Sequence, residues 1–409
     1  MNILIVGVSG FIGRYLYDVL SQQGHKVTGC SRSEVPNIKW RACDFSQSVD
    51  DWDAQLHNID VVINTVGIYE QSGTQTFALI HEHGPKKLFE ACRKNEVRVL
   101  QISAIGAEQD QPVTEFLISK RNADQYLLKG TLANVVLYPG IVLGEQGKST
   151  TQLSLLARLY CTPMAFNGET ELPLISIRQL TDHIVDIINN WPSTKKTKVI
   201  IAKPENMQKL LSDLRTWMGL GKGYYFSIPK SLINLGFHLF PTLSIGAFNR
   251  QSMDMLSAYS NKQYEPITNE PASESFLANK ATDKFIKELR LRTLFYINLI
   301  SLSIIWIASG VVSLISLEQS RDLIASVGIE GALGDTIIIT AAICDVFLGV
   351  FLWHARLRRW IIYMQMGFML AYIIIISLFL PAFWLHPFAP IIKNLAMFVL
   401  LLYVMAEEK

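Results

Sequence analysis

Metal-ligand spacing is missing from this sequence, and so is any excess of charge of one sign. The five cysteines (Cys30, Cys43, Cys92, Cys161, Cys344) form no CxxC pair, and the eight histidines are dispersed. No metal site is expected, and an odd, unframed cysteine set fits a reducing compartment. Lys and Arg number 37 against 35 Asp and Glu, a net charge of +2. So even a balance leaves no electrostatic footprint for nucleic acid. Internal repeats and low-complexity tracts are absent too. No leader is expected, because Asn2–Val6 already reads as a strand running straight into glycines.

What the sequence does have is a sharp change of composition near Arg292. Before it, charges fall in every short window. After it come four apolar segments, roughly Leu294–Leu317, Thr336–His354, Trp360–Leu380 and Ala389–Met405. A helix of about 20 residues spans ~30 Å, the hydrocarbon thickness of a bilayer, so the pattern predicts a four-helix transmembrane bundle. Lys284, Lys287, Arg290 and Arg292 precede the first span, and Arg356, Arg358 and Arg359 fill the second connection. The positive-inside rule then puts both termini in the cytoplasm. Trp353, Trp360 and Trp384 fall near the expected interfaces. Asp345 and Lys393 lie inside spans at matching heights, where a lone charge costs several kcal/mol, so they are expected to approach each other.

The first 144 residues alternate strand and helix, which implies a parallel, doubly wound α/β sheet of the Rossmann type. Strands read at Ile3–Gly7, His25–Cys30, Ile38–Cys43, Asp60–Thr65, Arg98–Ser103 and Asn134–Pro139, with helices at Phe11–Gln23, Thr76–Asn95 and Glu115–Lys129. Gly7, Gly10 and Gly13 sit at the first strand-to-helix turn, where a dinucleotide pyrophosphate needs a tight turn and a close backbone. Ser9, Phe11 and Ile12 complete that turn and count as cofactor-binding candidates. No acid ends the second strand, and Arg32 follows it, which favours NADP(H) over NAD(H). Asp44 is placed to touch the adenine, and Asn64, Thr65, Val66 and Gly67 close the fourth strand against the cofactor ribose.

These motifs resemble the short-chain dehydrogenase/reductase superfamily, in its extended and atypical branches. The resemblance implies that Ser103 and Lys120 are catalytic residues that also touch the cofactor, and that Tyr138, Pro139 and Gly140 form a loop beside the nicotinamide. The family's Tyr-x-x-x-Lys is here Phe116-Leu117-Ile118-Ser119-Lys120. The tyrosine gives or takes the proton that accompanies hydride transfer, and phenylalanine has none to give. Tyr69 or a water is a substitute that the sequence does not place. Within the superfamily the segments from Pro173 to Leu180 and Arg250 to Asn261 resemble the atypical branch that contains the nucleotide-binding accessory subunit of respiratory complex I. The membrane part of the chain is similar to DoxX-like domains, with Asp345 before Leu348-Gly349 and Pro390 to Asn394. The fusion is a bacterial arrangement, which implies the inner (plasma) membrane.

Between these parts, Glu145–Leu243 is expected to form a small lobe with extra strands such as Lys198–Ala202 and a short apolar helix, Ile228–Leu239, carrying His238. The domains are then 1–250, a linker and basic juxtamembrane helix at 251–292, and the membrane domain 293–409. Two functions stay open. One is a membrane-bound oxidoreductase with a quinone or other lipophilic acceptor. The other is a non-catalytic NADP(H)-binding module that recruits a respiratory or quinone-related protein partner.

Overall fold

The computed structural model describes residues 1–165, 170–229, 231–232, 250–259, 263–354, 357–385 and 390–407. Among these the chain divides into two compact units, one running up to Phe285 and the other from Ile286 onward.

The first unit is built on seven parallel strands: β1 (Asn2–Val6), β2 (Lys26–Ser31), β3 (Trp40–Ala42), β4 (Val61–Asn64), β5 (Arg98–Ile102), β6 (Val135–Pro139) and β7 (Lys196–Ile200). Their order across the sheet is β7-β6-β5-β4-β1-β2-β3, the doubly wound arrangement. Near-continuous apolar runs such as Ile3-Leu4-Ile5-Val6 are what a sheet covered on both faces requires. Successive side chains point to opposite faces, so Ile3, Ile5, Val61 and Ile63 enter one core while Leu4, Val6 and Val62 enter the other. β7 starts two residues earlier than expected and extends the main sheet by pairing with β6, rather than building a separate lobe.

The helices that position the site are α1 (Phe11–Gln22), α2 (Gly84–Lys94), α3 (Glu115–Lys129), α4 (Lys148–Arg158) and α5 (Arg250–Tyr259). The helix expected over Thr76–Asn95 is broken: a π-helical turn, Ala78–His83, precedes α2. Two residues account for the break. Pro85 has no N–H to donate to the preceding turn, and a Cβ at Gly84 would collide with the Phe45 side chain. The stretch expected as a linker carries packed structure as far as Phe285. Tyr259 on α5 is buried and its hydroxyl donates to the Ile105 carbonyl at 2.7 Å, while Phe285 packs on Trp217. Tyr224–Ile228 forms a short parallel pair with Cys161–Ala165. Most of the helix expected at Ile228–Leu239, with His238, lies outside the described residues.

The second unit holds α6 (Asp283–Ile315), α7 (Gly331–Phe351), α8 (Arg358–Phe379) and α9 (Pro390–Glu407). The basic run Lys284–Arg292 and the first apolar span are one continuous helix, since nothing between them breaks the hydrogen-bond ladder. Among the described residues α6, α7 and α8 are long and apolar enough to cross a membrane. The fourth expected span corresponds to the 18-residue α9, and Ala389 at its start lies outside the described residues. Leu299, Leu302, Trp306, Leu348, Ile362 and Leu401 are buried in this unit's core. Asp345 does not meet Lys393. Its Oδ2 accepts from Ser309 Oγ at 2.8 Å, Lys393 is exposed, and no ion pair joins the two among the described residues. A neighbouring hydroxyl on α6 is nearer to the carboxylate than the ammonium on the last helix.

Candidate functional site

The turn between β1 and α1 builds the first half of the site. Gly7 takes φ +90°, a conformation that favours glycine, and its carbonyl accepts from Gly10 N at 2.9 Å. Gly13 lies so close beneath that a Cβ there would strike the Gly7 carbonyl and the Thr65 hydroxyl. Gly10 caps α1 with no side-chain bond, so the first N–H groups of the helix stay available to an anion. A cleft of about 180 Å³ opens over this turn, and Gly7, Ser9, Gly10, Arg32, Asp44, Thr65, Val66 and Gly67 line it. A Cβ at Gly10 would meet the Gly7 carbonyl at 3.2 Å, a tight contact, and no other atom within 4 Å. The cradle therefore fits a dinucleotide pyrophosphate.

At the far end of the cleft Arg32 Nε stands 4.0 Å from Asp44 Oδ2, both side chains being largely exposed. Asp44 also accepts from Ser46 N at 2.7 Å, which fixes the carboxylate. Cys30 and Cys43 line the same cleft and are joined as a disulfide with Cα atoms 5.7 Å apart. That pairing corrects the expectation of an unpaired, scattered set. Residues 13 apart in sequence meet because β2 and β3 are parallel neighbours.

Three candidates are buried and do not line the cleft. Asn64 is fully buried, donates to Gln101 Oε1 at 2.7 Å and accepts from Val66 N at 3.2 Å, so it shapes the strand end instead of facing the ribose. Tyr138 is buried within β6. Lys120 is 5% exposed and donates to the Ile102 carbonyl at 3.3 Å, with Nζ 3.5 Å from where a Cβ of Gly67 would lie. Burial lowers its pKa to about 8, against the opposing pull of Asp124.

The remaining candidates border a second space. Phe11, Ile12, Ser103, Pro139 and Gly140 line a separate cavity of about 350 Å³, and its Phe11 follows Gly10 of the nucleotide cleft directly in sequence. Pro139 ends β6 and Gly140 links it to a short strand, Ile141–Leu143, with Gly140 N donating to the Ile200 carbonyl at 3.0 Å. The rest of the wall is mostly apolar, with Leu153, Leu156, Met164, Met207, Met253, Met255 and Leu256. Tyr69 reaches the same space, its hydroxyl 2.6 Å from Ser252 Oγ.

Phe116 is packed between Tyr69, Phe77 and His81, with ring centroids at 6.0, 5.9 and 5.1 Å. His81 Nε2 accepts from Ile68 N at 3.0 Å, which leaves the proton on Nδ1, 3.2 Å from Ser119 Oγ. Burial, reinforced by Lys120, pulls the His81 pKa down to about 2, so the ring is neutral. Sequence reasoning missed Asp124. It is 1% exposed, and its Oδ2 accepts from Ser103 Oγ at 2.5 Å. Only its place four residues beyond Lys120 on α3, one turn along the same face, could have pointed to it.

Residues 3–158 match the NAD dependent epimerase/dehydratase family, and residues 303–402 match the DoxX-like family. The chain joins an epimerase-type nucleotide-binding domain to a DoxX-like domain. Over 195 residues it is 23% identical to NADH dehydrogenase (ubiquinone) 1 alpha subcomplex subunit 9, mitochondrial, of Arabidopsis thaliana, covering 44% of this chain and 48% of that protein. Over 161 residues it is 22% identical to a ceramide reductase of Caulobacter vibrioides, covering 38% and 50%. It therefore spans about half the length of the curated relatives it matches. The crystal structure of UDP-glucuronic acid 4-epimerase from Bacillus cereus in complex with NAD superposes with a TM-score of 0.51 at 17% identity, over 71% of this chain and 99% of that one. That likeness is one of fold.

Proposed function

We propose that the chain is a membrane-anchored oxidoreductase that uses NADP(H) and passes reducing equivalents to or from a lipophilic acceptor, such as a quinone or a lipid ketone. The observation that supports this reading is a glycine cradle and an apolar cavity on one domain, lined by the consecutive residues Gly10 and Phe11. When bound, the reduced nicotinamide supplies a hydride. The backbone of Gly7–Gly13 would hold the pyrophosphate, and Arg32 would pair with a 2′-phosphate. Phe11, Met164, Met253 and Leu256 would sort apolar acceptors from charged ones and keep water out. A ceramide reductase and a complex I subunit among the relatives suit a lipid-soluble substrate and a respiratory partner. The DoxX-like helices would keep the domain at the cytoplasmic face of the bacterial inner membrane, both termini inside.

A non-catalytic, nucleotide-sensing role is the second reading, favoured by Phe116 in its closed aromatic nest. One experiment separates the two. The protein is purified in detergent and NADPH oxidation is followed with a short-chain quinone and with a long-chain ketone. Turnover above background, lost in Gly10→Trp, is expected. Tight NADPH binding with no turnover on either acceptor would establish the second reading. Arg32→Ala should weaken NADPH by about tenfold to a hundredfold, as loss of a charge-assisted contact does, and leave NADH unchanged.

A further inference from the structure

A buried carboxyl stands directly behind the cavity at the nicotinamide end. Ser103, just past β5, lines the cavity, and its Oγ lies 2.5 Å from Asp124 Oδ2 on α3. Asp124 is sealed from solvent; Ser103 holds Oδ2, and the Gln101 side chain beside the carboxyl leaves Oδ1 without a well-formed hydrogen bond. An ionised carboxylate with one poorly bonded oxygen is ill placed in such surroundings, whereas a carboxyl that carries a proton is at ease and can donate it. The alternatives on the cavity wall are less suited. The Tyr69 hydroxyl is held against Ser252, and burial raises its pKa; the Tyr259 hydroxyl is committed to the Ile105 carbonyl.

We propose that Ser103 and Asp124 deliver the proton that Phe116 cannot, with Ser103 Oγ giving its hydrogen to the acceptor oxygen and taking another from the Asp124 carboxyl. The proposal rests on the oxidoreductase reading above. The step balances: the acceptor carbon gains a hydride, its oxygen gains the Ser103 proton, Asp124 is left as carboxylate, and once the product has left Asp124 regains one proton per turnover through Ser103 from water entering the cavity. Ser103 touches the acceptor; Asp124 is a positioning residue that acts through it.

The groups that face Asp124 set its titration. Burial raises its pKa to about 7, opposed by Ser103 and Gln101 from β5 and by Lys120 and Arg121 from α3. Tyr138 on β6 stays neutral, because burial and the charges of Asp124 and Glu108 push it well above its ordinary value. The protonated form is the donor, so reduction slows as pH rises through about 7 and oxidation of the corresponding alcohol speeds up.

The test uses the full-length protein in detergent with NADPH and a long-chain ketone. Asp124→Asn is expected to lower kcat about 100-fold, with NADPH affinity retained, and to abolish the transition near neutrality. Asp124→Glu should restore both, and Tyr126→Phe, which removes an exposed hydroxyl elsewhere on α3 that donates to Glu90, should change neither. Infrared pH-difference spectra give a readout independent of turnover: a protonated-carboxyl band should vanish as pH rises through about 7, be missing in Asp124→Asn and move to higher pH in Ser103→Ala. Turnover whose pH profile survives Asp124→Asn overturns the relay alone, as does the absence of such a band. Binding without turnover, whatever the carboxyl does, overturns the oxidoreductase reading and the relay with it.

Discussion

Gly10 and Gly13 show how much one hydrogen atom decides in this site. Both belong to a glycine pattern that is readable in the sequence, yet they carry different burdens. A Cβ at Gly13 would press on the Gly7 backbone, which cannot yield without lifting α1 off β1; at Gly10 the nearest atom is 3.2 Å away. Gly13→Ala is therefore expected to cost about 1–3 kcal/mol and to lower the melting temperature of the detergent-purified protein, whereas Gly10→Ala leaves it within a degree or two. Equal melting of the two variants would mean that the helix does not rest on this contact. Position-specific chemistry of this kind is legible because strand, glycine and helix are contiguous. Asp124 and His81 were not, since their roles arise only when α3 and the turn before α2 fold against the end of β5. The Cys30–Cys43 pair escaped for the same reason, being set by strand neighbours.

Elements with an uninterrupted pattern were the easiest to read. Glu115–Lys129 runs between the predicted ends because Thr114 caps it, accepting from Leu117 N, and Gly130 follows it. At the π-turn before α2 the Gly84-Pro85 step was the local signal, but the close approach of Phe45 to Gly84 is set by tertiary packing and is not legible there. The apolar helices were found by composition, but composition does not say which faces meet. In the second unit α6 and α7 approach through small residues: a Cβ at Gly349 would lie 2.7 Å from Ile307 Cγ1 and 3.0 Å from the Ser303 carbonyl, and one at Gly310 would strike the Ala342 carbonyl. Such close backbone approach is how apolar helices pack where burial in lipid offers little net gain. Gly349→Leu should force the two helices apart and take Ser309 away from Asp345, leaving a charge-bearing group without its one partner. A fall in melting temperature of several degrees is expected, and Leu at the exposed Gly367 on α8, where a Cβ meets nothing within 4 Å, serves as the control. No difference between the two would refute the contact.

For the molecule as a whole, the sequence divides at the hydropathy change near Arg292, while the structure divides at Phe285, inside one continuous helix. The polar stretch before it looked like a tether because its anchoring groups are few: Tyr259, Ala272 and Phe285 are single buried residues among hydrophilic neighbours. The 33-residue helix α6 carries the basic residues Lys284, Lys287, Arg290 and Arg292 at its amino-terminal end, and the positive-inside rule predicts that end on the cytoplasmic side. The connection between α6 and α7 has Arg321 already engaged by Asp335 at 2.6 Å and is otherwise acidic, which suits the opposite side. A single cysteine placed at Ser326, in a variant lacking the five native cysteines, should react with a membrane-impermeant maleimide added to intact cells, while one at Arg290 should react only after lysis. Labelling of Arg290→Cys from outside would place the cofactor domain away from the cytoplasmic NADPH pool, and the proposed chemistry could not run there.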